Sequence, residues 1–147
     1  MSSRTSAGTT IGIGAAPATY DAAGFGAVSF DLIGEVTDAG EYGKVYNLVT
    51  HNPLADRKTV KKKGSYNNGS ITLQLAIDEA DDGQIAAKAA VDSDDSFSIA
   101  VTKQNGAIDY FTAQVMSFTD NIGSVDNIES GSIQLEIDND IIPVAAP

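Results

Sequence analysis

A chain of 147 residues with a formal net charge of −11, from 20 acidic residues against 9 lysines and arginines, has the size of one domain with one core and lacks the cationic surface that gripping nucleic-acid phosphates requires. It has no cysteine and one histidine, His51, which excludes disulfide scaffolds and thiolate metal sites and removes most imidazole chemistry. No apolar run nears the roughly 20 residues that span a bilayer, and the opening residues lack the apolar stretch of a secretory leader. A soluble protein made in the cytoplasm, with no membrane partner, is expected.

Residues 1–10 are rich in Ser, Thr, Gly and Ala and are expected to form a mobile arm, as is the tail 139–147. Across 28–36, Val28, Phe30, Leu32 and Val36 share one parity and Ser29, Asp31 and Glu35 the other, with Ile33 out of phase. That alternation predicts a half-buried strand. Residues 38–66 are long, charged and punctuated by Gly40, Gly43, Pro53 and Gly64, so a long extended loop or hairpin is expected there. Its outgoing arm would run over 42–50, its turn over 51–56 and its return over 58–63.

From Ser70 the alternation is clean, with Ile71, Leu73, Leu75 and Ile77 on one face and Thr72, Gln74 and Ala76 on the other. One helix is predicted over about 84–91, capped by Asp78 or Asp81, with Ile85, Ala86, Ala89 and Ala90 as its apolar stripe. Phe97, Ile99 and Val101 then mark an inward strand face, and Asn105-Gly106 a hairpin turn. The partner strand, 107–118, reads as apolar on both faces: Ile108, Tyr110, Met116 and Phe118 have one parity, Phe111, Ala113 and Val115 the other. Such a strand is central in a sandwich or covered by a neighbouring subunit, and the second option makes Phe111, Ala113 and Val115 candidate contacts between subunits. The last strand, 129–138, turns Ile133, Leu135 and Ile137 inward. A mainly β chain follows, a β-sandwich or partly open barrel with one flanking α-helix, in a single domain over 1–147.

Chemistry-bearing motifs are weak. Gly12-Ile13-Gly14 and Gly24-Phe25-Gly26 lack phosphate-loop spacing and are read as plain turns. The acidic pairs Asp81-Asp82 and Asp94-Asp95 lack the alternating carboxylates of a calcium loop and are read as helix-end charge. His51 near Asp56 has no nucleophile at motif spacing. No catalytic residue, metal site or cofactor is expected. Five of the nine cations, Arg57, Lys58, Lys61, Lys62 and Lys63, fall within seven residues. No aromatic residue interleaves with them until Tyr66, which argues against single-stranded nucleic acid; a solvated face and a subunit contact both stay open.

The stretch from Gly34 to Ala90, GEVTDAGEYGKVYNLVTHNPLADRKTVKKKGSYNNGSITLQLAIDEADDGQIAAKAA, resembles the core of siphophage-type tail tube proteins, and YFTAQVMSFTDNIGSVDNIESGSIQLEID, from Tyr110 to Asp138, continues the likeness. The resemblance implies a structural virion protein assembled as six-membered rings that stack head to tail around a channel for the genome. It implies self-contacts, other tail proteins at the tube ends, and genomic DNA that passes without specific binding. The basic run then becomes a candidate contact between rings. The short polar side chains Thr72, Gln74, Ser132, Gln134 and Glu136 become candidate channel lining, because a lining that lets DNA slide should not be basic. The competing readings are an isolated β-sandwich module that binds a ligand through its loops and, more remotely, a carboxylate hydrolase on a β-scaffold.

Overall fold

In the computed structural model, which describes residues 5–145, the chain forms ten strands and two helices. In order they are β1 (Thr10–Gly14), α1 (Ala22–Gly26), β2 (Asp31–Leu32), β3 (Val36–Asp38), β4 (Val45–His51), β5 (Val60–Asn67), β6 (Ser70–Ala76), α2 (Asp82–Ala90), β7 (Phe97–Thr102), β8 (Ile108–Asn121), β9 (Ser130–Ile137) and β10 (Ile142–Val144). Eight strands make one sheet in the order β2-β1-β7-β8-β9-β6-β3, with β10 added to the start of β8. The sheet curls into a half-barrel. Its two edge strands, β2 and β3, are consecutive in the chain, so the short link over 33–35 bridges the gap that the curl leaves. In that link Glu35 adopts φ 61°, a left-handed conformation uncommon for a residue with a side chain.

The inner face follows the predicted alternation. Ile71, Leu73 and Leu75 of β6 oppose Leu135, Ile133 and Gly131 of β9, and the aliphatic residues are buried. Ile11 and Ile13 of β1, Ile99 and Val101 of β7, and Phe111, Ala113 and Val115 of β8 complete the core. Each such side chain contributes about 1.5–3 kcal/mol of transfer free energy when withdrawn from water.

Helix α2 starts at the N-cap Asp81, whose carboxylate accepts from Gln84 N and also from Gly34 N, at 3.0 Å each. One side chain thus caps the helix and ties it to the link between β2 and β3. The helix buries Gly83, Gln84, Ala87 and Ala90, whereas Ile85 is 52% exposed. The expected stripe of Ile85, Ala86, Ala89 and Ala90 is therefore rotated. Two contacts force the rotation. A Cβ on Gly83 would stand 2.1 Å from the Leu32 carbonyl oxygen, so the helix approaches β2 as closely as only glycine permits. Gln84 is buried with its amide fully engaged: Oε1 accepts from Asp78 N at 3.0 Å, and Nε2 donates to the Gly34 and Ala76 carbonyls at 3.0 Å each.

Three further expectations are corrected. Of the strand read over 28–36 only Asp31–Leu32 and Val36 are strand, and Ile33 is the buried residue while Leu32 is exposed, because β2 ends at Leu32 and Ile33, whose N–H donates to the Ile11 carbonyl at 2.8 Å, lies in the link beyond it. Gly12-Ile13-Gly14 lies in β1 and Gly24-Phe25-Gly26 in α1, so neither is a plain turn. The tail is not free throughout, since Ile142–Val144 pairs with Tyr110, Asp109 and Ile108. Residues 1–4 of the N-terminal arm and 146–147 of the tail lie outside the described residues.

Candidate self-assembly surfaces

The segment 38–66 contains the expected hairpin. Its two arms, β4 and β5, form a sheet of their own. Every residue of β4 is exposed and none of β5 is buried, so the hairpin does not lie over the half-barrel. Two strands alone are marginal in water, and three features hold these together. Tyr46 faces Tyr66 across the pair with ring centroids 5.2 Å apart. Lys44 and Lys63 place ammonium groups 4.4 and 4.9 Å from the Tyr66 and Tyr46 ring centroids, within cation–π range. Asn47 Nδ2 donates to Ser65 Oγ at 2.9 Å beside the register shift between Tyr46 and Leu48.

The root of the hairpin is fastened on both sides. Before β4, the Tyr42 hydroxyl donates to Asp109, which also pairs with Lys103 Nζ at 3.0 Å. Burial, reinforced by the Asp109 carboxylate, pushes the Tyr42 hydroxyl well up, so it stays a donor. After β5, the Tyr66 hydroxyl and Asn68 Nδ2 both donate to Asp140 Oδ1, at 2.9 and 3.4 Å. These bonds, Tyr66 first, hold the Asp140 carboxyl below its ordinary value. Sequence reasoning singled out none of Tyr42, Asp109 and Asp140, since each partner lies at least 67 residues away from its mate.

The five cations of the basic run are all exposed. Arg57 and Lys58 lie in the connection between β4 and β5. Lys61 opposes Thr50, Lys62 opposes Val49 and Lys63 opposes Leu48. Cross-strand partners share a face, so Lys61 and Lys63 stand with Leu48 on one side and Lys62 with Val49 on the other. The hairpin is therefore a mixed cationic and apolar blade with no purely basic side.

Phe111, Ala113 and Val115 are core residues, 0 to 4% exposed, and are not available to a neighbouring subunit. The apparent two-sidedness of their strand has two sources. On the outer face Tyr110 is stacked by Phe25 of α1, at 5.2 Å between centroids, and by Phe30 at 6.0 Å. Further on, the register shifts between Val115 and Ser117, so that Phe118 opposes the buried Ile133. The bulge moves Phe118 onto the same face as Phe111 despite their opposite parity.

Thr72, Gln74, Ser132, Gln134 and Glu136 are brought together on the outer face of the sheet. Thr72 opposes Gln134, Gln74 opposes Ser132, and Ser70 opposes Glu136. The pairing of β9 with β8 extends each row, adding Ser117 beside Gln134, Thr119 beside Ser132 and Gln114 beside Glu136. Thr119 and Ser132 are hydrogen-bonded through their hydroxyls at 2.8 Å. The strip is short, polar and without a cation. Among the described residues no group of His, Cys, Asp and Glu is placed to hold a metal ion, and no helix is long and apolar enough to cross a membrane.

No family model and no curated protein sequence matches the chain. Solved structures do match. A chain from the sixfold-symmetrised baseplate of the anti-feeding prophage superposes with TM-score 0.74 at 8% identity, covering 99% of both chains. A chain from the sheath/tube terminator of the PVC extracellular contractile injection system, in the extended state, gives 0.73 at 12% identity, again over 99% of both. The fold is that of phage-like tail components. The tail of an empty gene transfer agent particle, refined helically with C6 symmetry, contains a further match, with TM-score 0.70 at 15% identity, over 97% of this chain and 100% of that one. The chain thus shares its fold with individual chains of these three assemblies.

Proposed function

We propose that this chain is a structural tail protein of a long-tailed phage, which polymerises as six-membered rings stacked into a tube through which the genome passes. The observation that carries the reading is the β4–β5 hairpin. Val45, Leu48, Val49 and Leu54 are between 52 and 104% exposed on it, an apolar surface with no cover in a single copy. Support comes from the sixfold and helical symmetry of the assemblies that hold its fold relatives. In this reading Arg57, Lys58, Lys61, Lys62 and Lys63 work between rings, and the polar strip on β6, β9 and β8 lines the channel, where a lining without cations lets phosphates slide. Other tail proteins meet the tube at its ends, and assembly takes place in the host cytoplasm before the protein resides in the virion tail. No catalytic role is assigned.

Light scattering with negative-stain microscopy of the purified chain tests this. Rings of six chain masses and stacked tubes are the expected result. A monomer that stays dispersed at high concentration would overturn the reading and favour a ligand-binding module.

A further inference from the structure

We propose that the turn of the hairpin docks into a groove at the opposite end of a second copy, seating Leu54 between α2 and β8. The inference rests on the polymerising reading above and names the partner surface that such a polymer would use.

The groove has a volume of about 220 Å³ and lies where β6 ends and α2 begins. Ile77, Ile85 and Phe118 give it apolar walls, and Asp78, Glu79 and Asp120 rim it with carboxylates. The one cation in the lining, Lys88, holds its ammonium 5.8 Å from the Phe118 ring centroid. Ile85 is half exposed although it is the largest apolar residue of α2. Next to the groove, the connection from β8 to β9 exposes Ile122, Val125 and Ile128.

The hairpin turn is complementary in both respects. Leu54 is completely exposed, held in a turn closed by the bond from Asp56 N to the Pro53 carbonyl at 3.2 Å; the Asp56 carboxylate is turned back onto Lys58 N at 3.3 Å, and Arg57 and Lys58 come three and four residues after Leu54. One apolar knob beside two cations meets an apolar hollow beside three carboxylates. Topology decides whose turn it is. The return arm β5 passes into β6 through Asn68 and Gly69, so the hairpin leaves the body where β6 starts, whereas the groove opens where β6 ends. Seven residues of strand separate the two by about 20 Å. Leu54 is fully exposed in its own chain and so does not fill that chain's groove, and two different patches at opposite ends generate an open head-to-tail stack.

The absence of native cysteine makes a crosslinking test clean. A chain carrying both L54C and I85C, oxidised mildly in the assembled state, is expected to run as a ladder of covalent multimers, while either single variant gives dimers at most. Charge provides the second arm: R57E/K58E alone and E79K/D120K alone should each lose stacking, and the four changes together should regain it. An L54C/I85C polymer that gives no ladder, or a combined charge variant that stays unstacked while the wild type polymerises, overturns the docking and leaves the polymer reading intact. A wild-type chain that never polymerises overturns both.

Discussion

The Tyr66 hydroxyl donates to Asp140 Oδ1 at 2.9 Å, joining the return arm of a protruding hairpin to the segment that leads into the last strand. This contact, shared by Asn68, sets where the hairpin leaves the body. The Asp140 carboxyl is held below its ordinary value by these bonds. A carboxylate with a depressed pKa stabilises the folded state above its unfolded pKa of about 3.9, and that contribution is lost as pH falls through the folded value. D140A should therefore accelerate amide exchange over 60–67 at neutral pH while β6 and β9 keep their protection. In the wild type the same acceleration should appear only below about pH 4. Uniform exchange in D140A would show that the hairpin is held by other means.

Gln84 is the buried polar joint of α2. Q84L keeps the volume but strands Asp78 N–H and the Gly34 and Ala76 carbonyls. The expected loss is about 3 kcal/mol, read by urea unfolding. An unchanged midpoint would mean that water replaces the amide.

Substitutions in β8 separate core from interface. F111A should cost about 3–5 kcal/mol through the cavity it opens, and V115D should not fold, because it places a charge among buried aliphatic side chains. Circular dichroism decides the matter. A folded V115D monomer that merely fails to assemble would return Val115 to a subunit contact.

For the basic run, K61E/K62E/K63E should form rings that stack poorly, and rising salt should weaken wild-type stacking by screening. Each exposed pair contributes only about 0–1 kcal/mol, so single reversals should have small effects and the sixfold sum a large one. Sedimentation of polymer against salt concentration measures it. Indifference to both salt and reversal would make the run a solvated face.

For the channel, Q134K/E136K should leave tubes intact and slow DNA release from assembled particles, since cations along the bore would bind phosphates. Release at the wild-type rate would place the β6–β9 outer face away from the genome.

Local physics made much of this molecule legible. The period-two alternation of β6 and β9, the Asn105-Gly106 turn and the Asp81 cap each depend on neighbours within a few residues, and each is where the sequence puts it. So is the hairpin, because a charged, glycine-punctuated stretch of this length, low in apolar residues after Val49, exceeds an ordinary connection and must carry structure of its own. What only the tertiary structure decided are features set by contacts between distant segments. The bulge after Val115 changes the phase of Phe118 without any mark in the sequence, and the end of β2 at Leu32, with Ile33 N bonded to the Ile11 carbonyl, does the same for Ile33. The rotation of α2 follows from a backbone approach at Gly83 and three hydrogen bonds of Gln84 that exist only once the link 33–35 and the end of β6 have come together. Composition likewise placed five cations near one another, but only strand pairing divides Lys61 and Lys63 from Lys62 and sets the blade at the opposite end of the strands from an acid-rimmed apolar groove.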